Sequence, residues 1–61
     1  MWIKSKYGFF NVTRVDKFCE SGQQTFAFMG SKTAPVLLSD NKVLDTIVEA
    51  IKRGYPFLEV E

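Results

Sequence analysis

The chain has no histidine, a single cysteine, two prolines and a net charge of only +1. Each shortage removes a class of function. Without histidine, the commonest general base and metal ligand is missing. The lone Cys19 can form no disulfide within the chain and has no histidine partner to activate it. It reads as a small apolar strand residue, and it suits a reducing compartment. Eight basic residues against seven acidic ones leave no strong overall field. A dedicated duplex-DNA binder of this size is far more basic. The longest apolar run is residues 26–29, well short of the ~20 residues that span a bilayer. Lys4 and Lys6 interrupt any apolar leader at the start. The expectation is a soluble, cytoplasmic protein with no membrane association.

Motifs that carry chemistry are missing as well. The four glycines are isolated, and no phosphate loop, zinc motif or nucleophile elbow occurs. The carboxylates Asp16, Glu20, Asp40, Asp45, Glu49, Glu59 and Glu61 are scattered. Asp45 and Glu49 lie four apart, which on a helix makes a solvated face; a metal site needs more ligands. A chain this short, with one core, leaves little room for a cleft. The expectation is no enzyme activity, no catalytic or metal-binding residue and no cofactor.

What the chain does have is apolar and aromatic side chains. Of its 61 residues, 46% are hydrophobic and 15% aromatic. That is enough for one core and one domain, residues 1–61, and it argues against disorder. A domain of this size buries only ~60% of its unfolded surface. With no disulfide or metal to reinforce it, its stability must come from tight packing, self-association or both.

Periodicity supplies the elements. In the first residues Ile3 and Ser5 alternate with Trp2, Lys4 and Lys6, which predicts a strand with Ile3 and Ser5 on one face. A turn at Lys6-Tyr7-Gly8, with Gly8 free to take positive φ, predicts a hairpin from Trp2 to Val12. A brief turn over residues 11–14 and a strand over residues 15–20 follow. The next strand, after Gly22, alternates Phe26 and Phe28 with Thr25, Ala27 and Met29. A second turn falls at residues 30–33. Pro35 lacks a backbone donor, so the short strand after it starts at a sheet edge or a bulge.

Val43, Leu44, Ile47, Val48 and Ile51 form one stripe at helical spacing. Ser39 or Asp40 is the expected N-cap. Lys52 and Arg53 suit the last turn, Glu49 and Arg53 form an i,i+4 pair, and Gly54 suits the left-handed closing position. In the tail, Leu58 and Val60 face inward and Phe57, Glu59 and Glu61 outward. Their charges oppose those of Lys4 and Lys6, which predicts that the tail pairs beside the first strand of this chain or of another. The fold class is therefore α+β: an antiparallel sheet of about four strands, one helix on one face, and a fifth, C-terminal strand. Phe10, Val12, Phe18, Phe26 and Phe28 are the expected core beneath the helix.

The opening stretch, where Lys4, Lys6, Arg14 and Lys17 alternate with Tyr7, Phe9, Phe10 and Phe18, bears on function. Three readings stand: a sheet whose wet face does nothing further, a protein-contact face, and a single-stranded nucleic-acid face. The contact reading uses Trp2, Lys4, Lys6 and Phe57, because tryptophan is enriched at interface hot spots. It implies a protein partner or a homo-oligomer. The nucleic-acid reading uses Lys4, Lys6, Tyr7, Arg14 and Lys17, with rings stacking on bases and cations tracking phosphates.

The order of a Trp2-Ile3-Lys4 strand, a Phe10-Asn11-Val12 turn and a helix over residues 43–51 resembles a scattered group of small bacterial and phage proteins. The resemblance spans most of the chain. It implies the same α+β fold, a phage or mobile-element origin, and a structural role for Asn11, whose side chain would bond nearby backbone. It implies no activity. Pro35 and residues 54–61 depart from the pattern. Together these expectations describe a small accessory or regulatory protein that acts by binding.

Overall fold

Residues 1–30 and 34–61 are described in a computed structural model of the chain. Among them, β1 (Trp2–Ser5) and β2 (Gly8–Asn11) form the expected hairpin. Its register pairs Ser5 with Gly8, so the turn is Lys6-Tyr7. The Ser5 hydroxyl accepts from the Tyr7 N–H at 3.1 Å, and Gly8 takes φ +153° to reopen the strand. A short 3₁₀ turn, Val12–Arg14, follows. Asn11 caps it, its side-chain oxygen accepting from the Thr13 N–H at 3.2 Å and the Thr13 hydroxyl at 2.8 Å. Asn11 thus bonds the turn backbone as expected.

After the turn come β3 (Lys17–Ser21), β4 (Gln24–Phe28), β5 (Val36–Ser39), α1 (Leu44–Lys52) and β6 (Phe57–Glu59). The strands make two three-stranded sheets, ordered β2-β1-β6 and β3-β4-β5. This corrects the single antiparallel sheet of about four strands. The 3₁₀ turn redirects the chain between β2 and β3, so the hairpin and the meander do not continue one another. Each sheet then has a face to bury, and the two inner faces share one core with the helix. That core is Ile3 and Phe10 from the first sheet, Ala27 and Leu38 from the second, and Ile47 from α1.

The tail pairs within the chain. β6 lies parallel to β1, with Trp2 beside Phe57, Ile3 beside Leu58 and Lys4 beside Glu59. The Trp2 N–H donates to the Pro56 carbonyl at 3.0 Å and the Val60 N–H to the Lys4 carbonyl at 2.8 Å. Leu58 and Val60 face the core while Phe57 and Glu59 are exposed.

Three further expectations are corrected. First, β4 turns the other face inward: Thr25 and Ala27 are fully buried, while Phe26 and Phe28 are half-buried outside the central cluster. Both faces of β4 are apolar, so alternation alone could not orient it. Thr25 also has buried work to do. Its hydroxyl donates to the Asn41 carbonyl at 2.8 Å and accepts from the Val43 N–H at 3.1 Å. Thr25→Val keeps the shape but leaves both groups without that partner. It is expected to cost about 1–3 kcal/mol, read as a lower urea midpoint at unchanged slope.

Second, the helix starts after Val43, and neither Ser39 nor Asp40 caps it. Glu20 does part of that work across the fold, accepting from the Leu44 N–H at 3.3 Å. Ser39 instead accepts from the Asn41 N–H at 3.0 Å and donates to the Glu61 carbonyl. Third, the helix buries Ile47 and Ala50, whereas Val48 and Ile51 face solvent. At its end Gly54 has φ +72°, with Gly54 N–H bonded to the Ile51 carbonyl and Tyr55 N–H to the Ala50 carbonyl. These two bonds make the left-handed helix stop that the sequence predicted. The Glu49–Arg53 pair forms at 2.8 Å.

The strand after Pro35 is an edge strand, and its register against β4 shifts at Thr25/Phe26. The edge expected from Pro35 is therefore present, while the register irregularity falls at the far end of the strand, between Leu37 and Ser39. The turn expected at residues 30–33 lies, beyond Gly30, outside the described residues. No helix among the described residues is long and apolar enough to cross a membrane.

Candidate functional site

Register decides which side chains share the outer face of the first sheet. Trp2 sits beside Asn11 on one side and Phe57 on the other; Lys4 sits between Phe9 and Glu59. Inner-face residues Ile3, Ser5 and Phe10 are buried, so the alternate set points to solvent. The result is an exposed aromatic group. Phe9 is 58% exposed, Phe57 47% and Trp2 41%. Trp2 and Phe9 stack, with ring centroids 4.6 Å apart and planes 21° apart; Phe57 lies 6.1 Å from Phe9. Such stacking adds about 0.5–1.5 kcal/mol beyond area burial.

Three of the four residues expected at a protein contact, Trp2, Lys4 and Phe57, therefore share this face. Lys6 stands at its end, in the hairpin turn. Phe9 belongs to the group as much as Trp2 does, although the sequence reading places it in the opening basic-aromatic stretch and not in the contact set. The signal was available: a two-residue Lys6-Tyr7 turn puts Phe9 opposite Lys4 and Phe10 opposite Ile3.

Lys6 and Tyr7 are held by Asp40, which the sequence marks only as a helix-cap candidate. The Tyr7 hydroxyl donates to Asp40 Oδ2 at 2.6 Å, Lys6 Nζ lies 2.7 Å from the same oxygen, and Gln24 reaches Oδ1 at 3.4 Å. Asp40 follows β5 directly, so this cluster ties the hairpin turn to the second sheet. The hydrogen bond from Lys6, then that from Tyr7, holds the Asp40 carboxyl below its usual value. The same bonds to Asp40 raise Lys6 and Tyr7.

The sign of the pH dependence follows. A depressed carboxylate contributes stability that is present above its unfolded value, about 3.9, and is lost as pH falls through the folded one. Raised Lys6 and Tyr7 contribute below about pH 10 and lose it as pH rises through their folded values. The tether therefore holds across the neutral range. In a carbon-detected NMR titration, Asp40 is expected to titrate below ordinary aspartate. Its midpoint should move up in Lys6→Met, and by less in Tyr7→Phe. An ordinary Asp40 midpoint in the unaltered chain would show that the cluster does not form in solution.

Of the other cations of the nucleic-acid reading, Arg14 stays beside the aromatic group and Lys17 lies apart. Arg14, in the 3₁₀ turn, borders an open depression of about 580 Å³ with Trp2, Tyr7, Phe9 and Val36. Lys17 belongs to the second sheet, in register with Phe28, and its ammonium lies 4.7 Å from that ring. Cys19 is a half-buried free thiol in β3. No group of three or more metal-ligating side chains occurs among the described residues. Comparison with family models, with curated proteins and with solved structures returned no match for this chain.

Proposed function

We propose that this chain is a small, non-enzymatic accessory protein that works by protein–protein contact through the outer face of its first sheet. The observation that carries this reading is the convergence of Trp2, Phe9 and Phe57, each more than two-fifths exposed, on one face. Isolated apolar side chains on a surface need no explanation, but a contiguous group rimmed by charge marks an interaction site. Rigid aromatic anchors carry much of the energy of such contacts. Lys4 and Lys6 form the polar rim. A cytoplasmic location belongs to the same reading, resting on the lone free thiol. So does a phage or mobile-element origin, resting on the resemblance of the Trp2-Ile3-Lys4 strand, the Asn11 turn and the helix.

The nucleic-acid alternative draws less support. Lys6 and Tyr7 are engaged by Asp40, and Lys17 sits on the other sheet. The test is affinity capture from cell lysate, split into nuclease-treated and untreated halves and repeated with Phe9→Ala. A discrete protein that survives nuclease and is lost with Phe9→Ala is the expected result. Recovered nucleic acid, with proteins lost after nuclease, would replace this reading with the alternative.

A further inference from the structure

The outer face of the first sheet carries one cation and one anion side by side. Lys4 and Glu59 are register neighbours on adjacent parallel strands, both exposed. Neither makes an ion pair; those formed among the described residues are Lys6–Asp40 and Glu49–Arg53. One row along the same strands, Trp2 and Phe57 are also neighbours. The face therefore reads, strand by strand, as aromatic and cation on β1, aromatic and anion on β6.

That pattern is self-complementary. Consider a twofold axis lying above the sheet, midway between β1 and β6 and parallel to them. Because the axis is parallel to the strands, it sets β1 of one copy over β6 of the other and keeps register neighbours level. Lys4 then meets Glu59 of the second copy, and Trp2 meets Phe57 of the second copy. Twofold symmetry repeats each contact.

We propose that the partner of this face is a second copy of the chain, docked face to face about that axis with Lys4 of each copy against Glu59 of the other. This rests on the reading of the face as a contact surface and adds the identity of its occupant. Docking by the face is favoured over extension of the sheet at β6. That strand is only three residues long and follows Pro56 directly, which leaves little edge to pair. The overlap is two strands wide, β1 and β6, and spans about 10 Å. It falls at the small end of specific interfaces, under ~1,200 Å² in total, so the dimer is a weak one, expected in the micromolar range or above.

Charge exchange tests it by sedimentation equilibrium over a concentration series. The unaltered chain is expected to show a reversible monomer–dimer equilibrium. Lys4→Glu alone and Glu59→Lys alone each place two like-charged pairs in the homodimer and should weaken it by about tenfold or more. An equimolar mixture of the two variants should recover the affinity as a heterodimer, because each contact is again cation against anion. This rescue separates the interface from any effect on folding, since the like charges within each variant chain remain. A chain that stays monomeric to millimolar concentration overturns the second-copy assignment, while the Phe9→Ala capture still judges the face itself. A dimer indifferent to both substitutions, or a mixture that fails to recover, also overturns it.

Discussion

Ile47→Ala is expected to remove about 2–5 kcal/mol of folding stability, the cost of deleting a fully buried aliphatic group and leaving a cavity. Ile47 is the one helix residue in the central cluster, which it shares with Ile3 and Phe10 from one sheet and Ala27 and Leu38 from the other. The cluster thus draws on all three layers. Native stability of about 0.05–0.15 kcal/mol per residue gives roughly 3–9 kcal/mol for a chain this short. One truncation thus takes from about a fifth of what holds the fold to all of it. Val48→Ala and Ile51→Ala on the same helix should stay within about 0.5 kcal/mol, because both side chains are over two-fifths exposed. Urea denaturation of the three variants reads the orientation of the helix directly. Equal losses at all three positions would mean that the helix buries the stripe seen in the sequence and not the Ile47–Ala50 face.

Removal of residues 57–61 should have an effect at least as large. It takes away β6, and with it the parallel ladder on β1, the packing of Leu58 and Val60 on the core, and the carbonyl of Glu61 that serves Ser39 and Asn41. Ser39 is fully buried and would keep a hydroxyl with no acceptor there. Leu58 and Val60 alone represent about 1–3 kcal/mol each when buried. The shortened chain is expected to lose its cooperative thermal transition, followed by circular dichroism at low concentration. A transition unchanged in midpoint would show that β6 is an appendage and not part of the fold.

The hairpin, the helix stop and the tail strand were legible because each rests on local chemistry. Gly8 and Gly54 hold backbone angles that few other residues accept, and the tail alternates cleanly between apolar and charged side chains. The orientation of β4 was not legible, because Phe26-Phe28 and Ala27-Met29 offer two apolar faces and only the room available inside chooses between them. Helix propensity and spacing marked Val48 and Ile51 as core, yet the sheets meet the helix along Ile47 and Ala50, where a small side chain allows close approach. The helix N-terminus shows the same limit. Ser39 and Asp40 are good cap residues nearby in sequence, but Glu20, distant in sequence, reaches Leu44 instead. The aromatic face was half legible: Trp2 and Phe57 stand out by alternation, Phe9 only once the turn length fixes the register.

The parallel pairing of β1 with β6 makes the order of synthesis matter. The first strand emerges from the ribosome with a neighbour on one side only, β2, and the other neighbour is nearly the whole chain away. A two-stranded hairpin of this kind is marginal in water by itself. Ile3 cannot be sealed until Leu58 arrives, and the helix that carries Ile47 emerges only shortly before it. A nascent chain through Ser39 already contains all three strands of the second sheet, but the first sheet lacks β6 and the shared core lacks Ile47. The first sheet therefore closes late, and until residue 58 has cleared the exit tunnel Trp2, Phe9 and Phe10 travel with that layer incomplete.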